Sequence, residues 1–222
     1  MPRSKRAKVV PLTATKPKGR SDKEKLVEAI RVALTEFSHV YTFDYANLRT
    51  KYLKEMRLER AGDSRMFLGN NRVMALALGR DEEESAAPNL FKLSKYVKGN
   101  AGILFTNLPK AVIKKYFHED FVRDDFARTG NVAPQDVVIP AGALPTEVFP
   151  HTMVEQLARL GLPVKLDRGI VTIREDTTIC KAGAALTPES SQLLKLFGVM
   201  TVQFRVQLTA HWTAGVARKV AE

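Results

Sequence analysis

Three basic residues, Lys51, Lys54 and Arg57, recur at intervals of three in a segment predicted to be a helix from about Leu48 to Arg60. Residues three or four apart share one face of a helix, so these side chains form a stripe suited to binding phosphate groups. Arg49 lies on the same predicted helix and adds a fourth positive charge. Ordinary solvated charges on an amphipathic helix give the same pattern, and the residues alone leave both interpretations open.

A second polar site is predicted within Arg65–Gly79, where a short apolar strand, a turn at Gly69 and a buried helix follow one another. Asn70, Asn71 and Arg72 stand where the amide groups of a helix N-terminus point outward, which suits phosphate. Simple capping of the helix by asparagine explains the same residues and is compatible with binding.

The remaining polar residues do not predict catalysis. No phosphate-binding glycine loop or dinucleotide fingerprint is present, and paired acids such as Asp124 and Asp125 lack an apolar setting that would separate their pKa values. Cys180 is expected to be a small buried residue. We therefore predict no catalytic residue, no metal site and no cofactor. The histidines lack the spacing of metal ligands: His39, His118, His151 and His211.

The formal net charge of +11 favours a polyanionic partner. Residues 1–20 carry seven basic side chains and no acidic one, whereas residues 128–184 are balanced at six of each. The basic leader has no apolar segment typical of a signal peptide, and no apolar run approaches the roughly 18 to 20 residues of a membrane span. We expect the leader to be a nuclear localisation signal, an RNA-binding arm or both, through Arg3, Lys5, Arg6 and Lys8.

The elements that carry these residues alternate. The predicted order up to about Phe117 is α-β-α-β-α-α-β-α, which favours an α/β sandwich. The first helix is expected to begin at a capping box of Ser21 and Glu24. After Arg128, prolines and glycines interrupt short β-like pieces, and this texture indicates a small, separate, β-rich unit. A helix capped by Thr187 and a long alternating strand follow, and the last ten residues are expected to be loosely ordered.

Several stretches together resemble the large-subunit ribosomal stalk base protein. They are still more similar to its ribosome-assembly paralogue, the mRNA turnover protein 4 family. The resemblance covers nearly the whole chain. The stretches that carry it are PRSKRAKVVPLT at 2–13, Asn47–Lys51, Met56-Arg57, MFLGNNR at 66–72, Lys98–Thr106, ARTGNVAPQDVVIPAG at 127–142, LDRGIVTI at 166–173 and Lys181–Glu189.

The resemblance implies an rRNA-binding α/β sandwich domain, formed by residues 21–127 plus 185–213, with a small inserted β-rich α+β domain at 128–184. Residues 1–20 and 214–222 would be a basic flexible tail and a C-terminal tail. Lys51 and Arg57 match basic positions of the family. The family commonly has lysine at the position of Asn70, so less charge is expected there, and Arg72 can supply it.

The function implied is that of a non-enzymatic biogenesis factor that binds large-subunit rRNA at the stalk base of nuclear pre-60S particles. It would hold the GTPase-associated region until the mature stalk protein replaces it. The expected partners are this rRNA, the neighbouring stalk-base ribosomal protein and a dual-specificity-phosphatase-like release factor. The protein is expected to be a monomer without membrane attachment, in the nucleus and nucleolus, with shuttling to the cytoplasm.

Two alternatives remain from the sequence. One is the mature ribosomal stalk base protein itself, and the other is an RNA-processing enzyme. The stalk protein continues into helices that recruit acidic stalk proteins, whereas this chain ends at Glu222 and begins with a basic leader. Both differences favour the assembly paralogue.

Overall fold

A computed structural model describes residues 19–220, which fold as a mixed α/β chain with several sheets. The helices are α1 (Arg20–Glu36), α2 (Thr50–Glu59), α3 (Asn71–Leu78), α4 (Phe91–Ser94), α5 (Lys110–Lys115), α6 (Val154–Arg159) and α7 (Pro188–Leu196). The strands are β1 (His39–Ala46), β2 (Ser64–Phe67), β3 (Ala101–Thr106), β4 (Arg123–Asp125), β5 (Val137–Ile139), β6 (Gly142–Ala143), β7 (Val164–Asp167), β8 (Ile170–Ile173), β9 (Thr177–Cys180), β10 (Val202–Thr213) and β11 (Val216–Lys219).

The first compact unit comprises residues 1–44, 60–109 and 208–222, of which 19–44, 60–109 and 208–220 are described. Its sheet has the order β11-β10-β1-β3-β2, and β3 pairs antiparallel with both β1 and β2. All six residues of β3 are buried, as expected for a strand in the interior of a sheet with both faces covered. Helices α1 and α3 pack against each other, and their apolar residues share one core with the sheet and α4. Representative members of this core are Ile30, Met74, Leu93, Ile103 and Trp212.

Close packing in this unit depends on two residues of opposite size. A Cβ atom on Gly102 would collide with the ring of Phe43, so glycine is required where β3 passes under that ring. Trp212 is the only tryptophan of the chain and is buried. Its Nε1 donates a hydrogen bond to the carbonyl oxygen of Pro88 at 2.9 Å, which satisfies the one polar atom of the side chain.

The second unit comprises residues 45–59 and 110–207. It contains a two-stranded sheet of β5 and β9, a three-stranded sheet of order β6-β8-β7, and β4 paired with the beginning of β10. Its core draws on α6, α7 and the short strands and includes Leu157, Val171 and Leu194. The predicted cap of α7 is confirmed, because Thr187 Oγ1 accepts a hydrogen bond from the Ser190 amide at 3.2 Å.

The predicted element order from the first helix to β3 and α5 is confirmed. Three details were wrong. The capping box is absent because Arg20 is already helical and its Nε binds Glu24 Oε1 at 2.8 Å, and Gly19 is the N-cap. Helix α2 begins at Thr50 instead of Leu48 because Asn47 has a φ of 55°. The chain after Thr213 is not loosely ordered throughout, since β11 pairs with β10.

Candidate nucleic-acid interface

The outward side of α2 carries the predicted basic stripe. Lys51, Lys54 and Arg57 are all exposed, and we call these three residues the α2 face. The opposite side of the helix turns inward: Met56 is buried, and the ring of Tyr52 stacks on Phe204 with centroids 5.6 Å apart. The inward pair at i and i+4 therefore fixes the rotation of α2 and holds the cations in solvent.

Carboxylates leave the α2 face largely unneutralised. Lys51 Nζ lies 3.9 Å from Glu55 Oε1, and 78% of the Lys51 side chain is exposed. An exposed pair at this distance contributes about 0 to 1 kcal/mol and is easily exchanged for another anion. Within residues 19–220, Lys54 and Arg57 have no carboxylate within ion-pair distance. The face is thus a set of cations available to phosphate.

Arg49 differs from its three neighbours because its guanidinium is engaged within the protein. Its Nε forms an ion pair with the carboxylate of Asp125 on β4, whose side chain is only 8% exposed. Its Nη2 donates to the carbonyl oxygen of Phe126 at 3.2 Å. This arrangement attaches the start of α2 to β4. A contribution of Arg49 to RNA binding stays a prediction.

The residues before α2 are held by contacts that connect positions far apart in sequence. Asn47 Nδ2 donates to the carbonyl oxygen of Gln203 at 3.0 Å, and Asn47 Oδ1 accepts from Asn131 Nδ2 at 3.0 Å. Arg128 Nη2 donates to the carbonyl oxygen of Leu48 at 2.8 Å. Sequence reasoning missed these positioning residues, because their partners lie about 80 or more residues away.

The second predicted site, at the beginning of α3, belongs to the first unit; we call Asn70, Asn71 and Arg72 the α3 turn. Asn70 is the N-cap, and its Oδ1 accepts from the Arg72 amide at 2.9 Å. Asn71 Nδ2 donates to the carbonyl oxygen of Gly99 at 2.8 Å, which brings the 98–100 loop to the helix start. The guanidinium of Arg72 is exposed and has no ion pair among the described residues. The capping interpretation of Asn70 is therefore confirmed, and Arg72 carries the available charge.

The other predicted basic residues and the expected absences need only brief description. Arg3, Lys5, Arg6 and Lys8 lie outside the described residues. Within residues 19–220, no three His, Cys, Asp or Glu side chains are grouped so that they could hold a metal ion. None of the helices described is both long enough and apolar enough to cross a membrane. Burial raises the pKa of Tyr41 to about 12, and its ring stacks on His211 with centroids 4.4 Å apart.

Comparison with known proteins assigns the two parts of the chain to related families. Residues 18–121 match the family model described as ribosomal protein L10. Residues 127–199 match a model described as the insertion domain in the 60S ribosomal protein of the same L10 family. The ribosome assembly factor mrt4 of Neurospora crassa is 40% identical over 230 residues, covering 96% of this chain and 90% of the relative. The chain belongs to the mrt4 family of ribosome assembly factors.

A second mrt4 protein, from Schizosaccharomyces pombe, is also 40% identical, over 223 residues that cover 96% of this chain and 92% of the relative. The mrt4 family is in turn related to the ribosomal protein. The large ribosomal subunit protein uL10 of Pyrococcus horikoshii is 31% identical over 195 residues, covering 87% of this chain and 56% of the relative. The paralogue relationship expected from the motifs is confirmed.

Proposed function

We propose that this protein is a non-enzymatic factor in assembly of the large ribosomal subunit, and that it binds rRNA at the stalk base. The observation that carries the proposal is the α2 face, three exposed cations that the described carboxylates leave almost free. The names of the mrt4 relatives support the assembly role, and the match to ribosomal protein L10 supports an rRNA partner.

The mode of binding follows from the chemistry of the α2 face. Lysine and arginine contacts to phosphates release counterions, so affinity should fall steeply as salt is raised. Specificity would come from the folded shape of the RNA and its 2′-hydroxyl groups, because the deep groove of an RNA helix hides the base edges. We assign this binding to the α/β sandwich of residues 21–127 plus 185–213 and treat residues 128–184 as an inserted domain.

The biological step would be a replacement. The protein occupies the GTPase-associated region of nuclear pre-60S particles, beside the neighbouring stalk-base ribosomal protein, until the mature stalk protein takes the same site. Two proteins with one footprint exclude each other, so an assembly factor on the site prevents early recruitment of translation GTPases. A dual-specificity-phosphatase-like factor assists release. The protein acts as a monomer in the nucleus and nucleolus and shuttles to the cytoplasm.

A filter-binding titration tests the RNA partner. The full chain is titrated against the stalk-base rRNA fragment and against an unrelated structured RNA of equal length, at several salt concentrations. We expect a clear preference for the stalk-base fragment that persists as salt rises, because shape recognition adds to charge. Equal affinity for both RNAs would reject stalk-base recognition.

A second candidate is the mature stalk base protein itself, which the similarity to uL10 favours. A pull-down from ribosome-bearing extract separates the two functions. Recovery of acidic stalk proteins with the chain would support the mature protein. Recovery of pre-60S particles without acidic stalk proteins would support the assembly factor.

A further inference from the structure

A small open pocket in the first unit lies between α4 and β11, and we call it the α4–β11 pocket. Its volume is about 270 Å³. Leu93, Ala210 and Ala217 form its apolar part, and β11 continues the sheet beside β10 with Ala210 opposite Lys219. Because small alanine side chains line it, the long side chains around it can close on a bound group.

Four cations surround this pocket. No acidic residue lines it, and within residues 19–220 none of the four has a carboxylate within ion-pair distance. All four side chains are exposed. Four like charges around one depression create a positive potential that attracts a polyanion. The cations are Lys92, Lys95, Arg218 and Lys219.

Aromatic rings stand among these charges. Tyr96 lines the pocket and is 37% exposed, and Phe91 lies beside it with its ring centroid 5.9 Å from Lys92 Nζ. An exposed aromatic side chain within a basic depression is the combination that single-stranded RNA requires, since cations bind the phosphates and the ring stacks on a base. An acidic peptide would use the cations but would give Tyr96 no planar partner. The composition therefore favours RNA.

We propose that the α4–β11 pocket is a second RNA-binding surface, which binds the phosphates of a single strand with its four cations and stacks one base on Tyr96. This rests on the proposed function in one respect: the strand would belong to the rRNA bound by the α2 face. It goes further because it assigns a site of different geometry, on residues that the α2 face does not include.

Binding of a fluorescent 12-nucleotide oligouridine to the full chain tests the pocket. The variant Lys92→Gln/Lys95→Gln/Arg218→Gln is compared with Lys23→Gln/Lys25→Gln/Arg31→Gln, which removes three exposed charges from α1. We expect the pocket variant to bind at least about tenfold more weakly and its salt slope to fall by about 2, since each single-strand phosphate contact contributes about 0.7. The α1 variant should stay within about twofold of wild type.

The aromatic residue is tested separately with Tyr96→Leu, which keeps an apolar side chain but loses the stacking plane. We expect affinity for oligouridine to fall by about tenfold with the salt slope unchanged. The single variant Lys95→Gln, with circular dichroism of each protein, guards against misfolding as the cause.

The outcomes distinguish this inference from the proposed function. Equal oligouridine binding by the pocket and α1 variants would overturn the pocket, even if the stalk-base fragment is still preferred. Displacement of oligouridine by poly-glutamate, together with no effect of Tyr96→Leu, would identify an acidic peptide site and also overturn it. A chain that shows no preference for the stalk-base fragment but binds oligouridine through the pocket would refute stalk-base recognition and leave the pocket supported.

Discussion

The α2 face and the α3 turn contain similar polar residues, yet their side chains have different partners. The cations of the α2 face extend into solvent, and the closest carboxylate is 3.9 Å from Lys51. At the α3 turn, the amides of Asn70 and Asn71 bind the backbone, at the Arg72 amide and the Gly99 carbonyl. Residues at a helix start satisfy the first free amides of that helix before they can serve a ligand. A polar residue type therefore predicts a ligand contact less well than an exposed charge.

The largest expected effect tests the α2 face. We expect Lys51→Glu/Arg57→Glu to weaken binding of the stalk-base fragment by at least about 100-fold, because two phosphate contacts become repulsive. Filter binding measures the loss. The matched control is Lys165→Glu/Lys181→Glu, two exposed lysines of the same unit, whose binding should change far less. Retained affinity in a folded α2 variant would move the site elsewhere.

A structural role for Arg49 predicts a loss of stability instead of affinity. Asp125→Ala leaves the Arg49 guanidinium without its partner and should lower the free energy of unfolding by about 2 kcal/mol. This is less than for a fully buried pair, because about a third of the Arg49 side chain is exposed. Urea unfolding measures it, with exposed Asp124→Ala as the control. If Arg49→Gln lowers the salt slope of RNA binding without changing stability, Arg49 belongs to the interface.

The N-cap of α3 predicts a smaller change. Asn70→Ala should reduce the free energy of unfolding by about 1 kcal/mol, because the Arg72 amide loses its acceptor. Asn70→Ser should restore most of this, since serine also caps. Thermal or urea unfolding makes the measurement. A stable Asn70→Ala protein with weakened RNA binding would show that Asn70 serves RNA more than the helix.

The smallest expected effect concerns Arg72. Removing one exposed charge by Arg72→Gln should weaken binding of the stalk-base fragment by about threefold and leave the unfolding curve unchanged. Arg80→Gln is the matched control on the other side of α3. A loss as large as that of the α2 variant would give the two sites equal weight.

Local patterns in the sequence predicted much of the first unit. Strand β3, the N-cap at Asn70 and the cap of α7 at Thr187 each depend on residues within a few positions, and the structure contains all three. The three outward cations of α2 were also predictable, because helical spacing alone puts them on one face.

What the sequence did not reveal depends on distant or unusual residues. The inward orientation of Arg49 depends on Asp125, 76 positions later. Strand β11 follows a two-residue turn in which Ala214 and Gly215 both have positive φ, 45° and 82°. Such turns normally have asparagine or aspartate before glycine, so alanine concealed the hairpin. Without β11, the cations Arg218 and Lys219 looked like part of a tail.

Trp212 also provides an optical signal. It is the sole tryptophan, and its indole is buried in the core of the first unit. Excitation at the red edge of the protein absorption band therefore reports on the environment of this one ring. A shift of its emission to longer wavelength marks opening of the first unit, and far-ultraviolet dichroism follows the whole chain. Disagreement between the two signals during denaturation would show that the units unfold in separate steps.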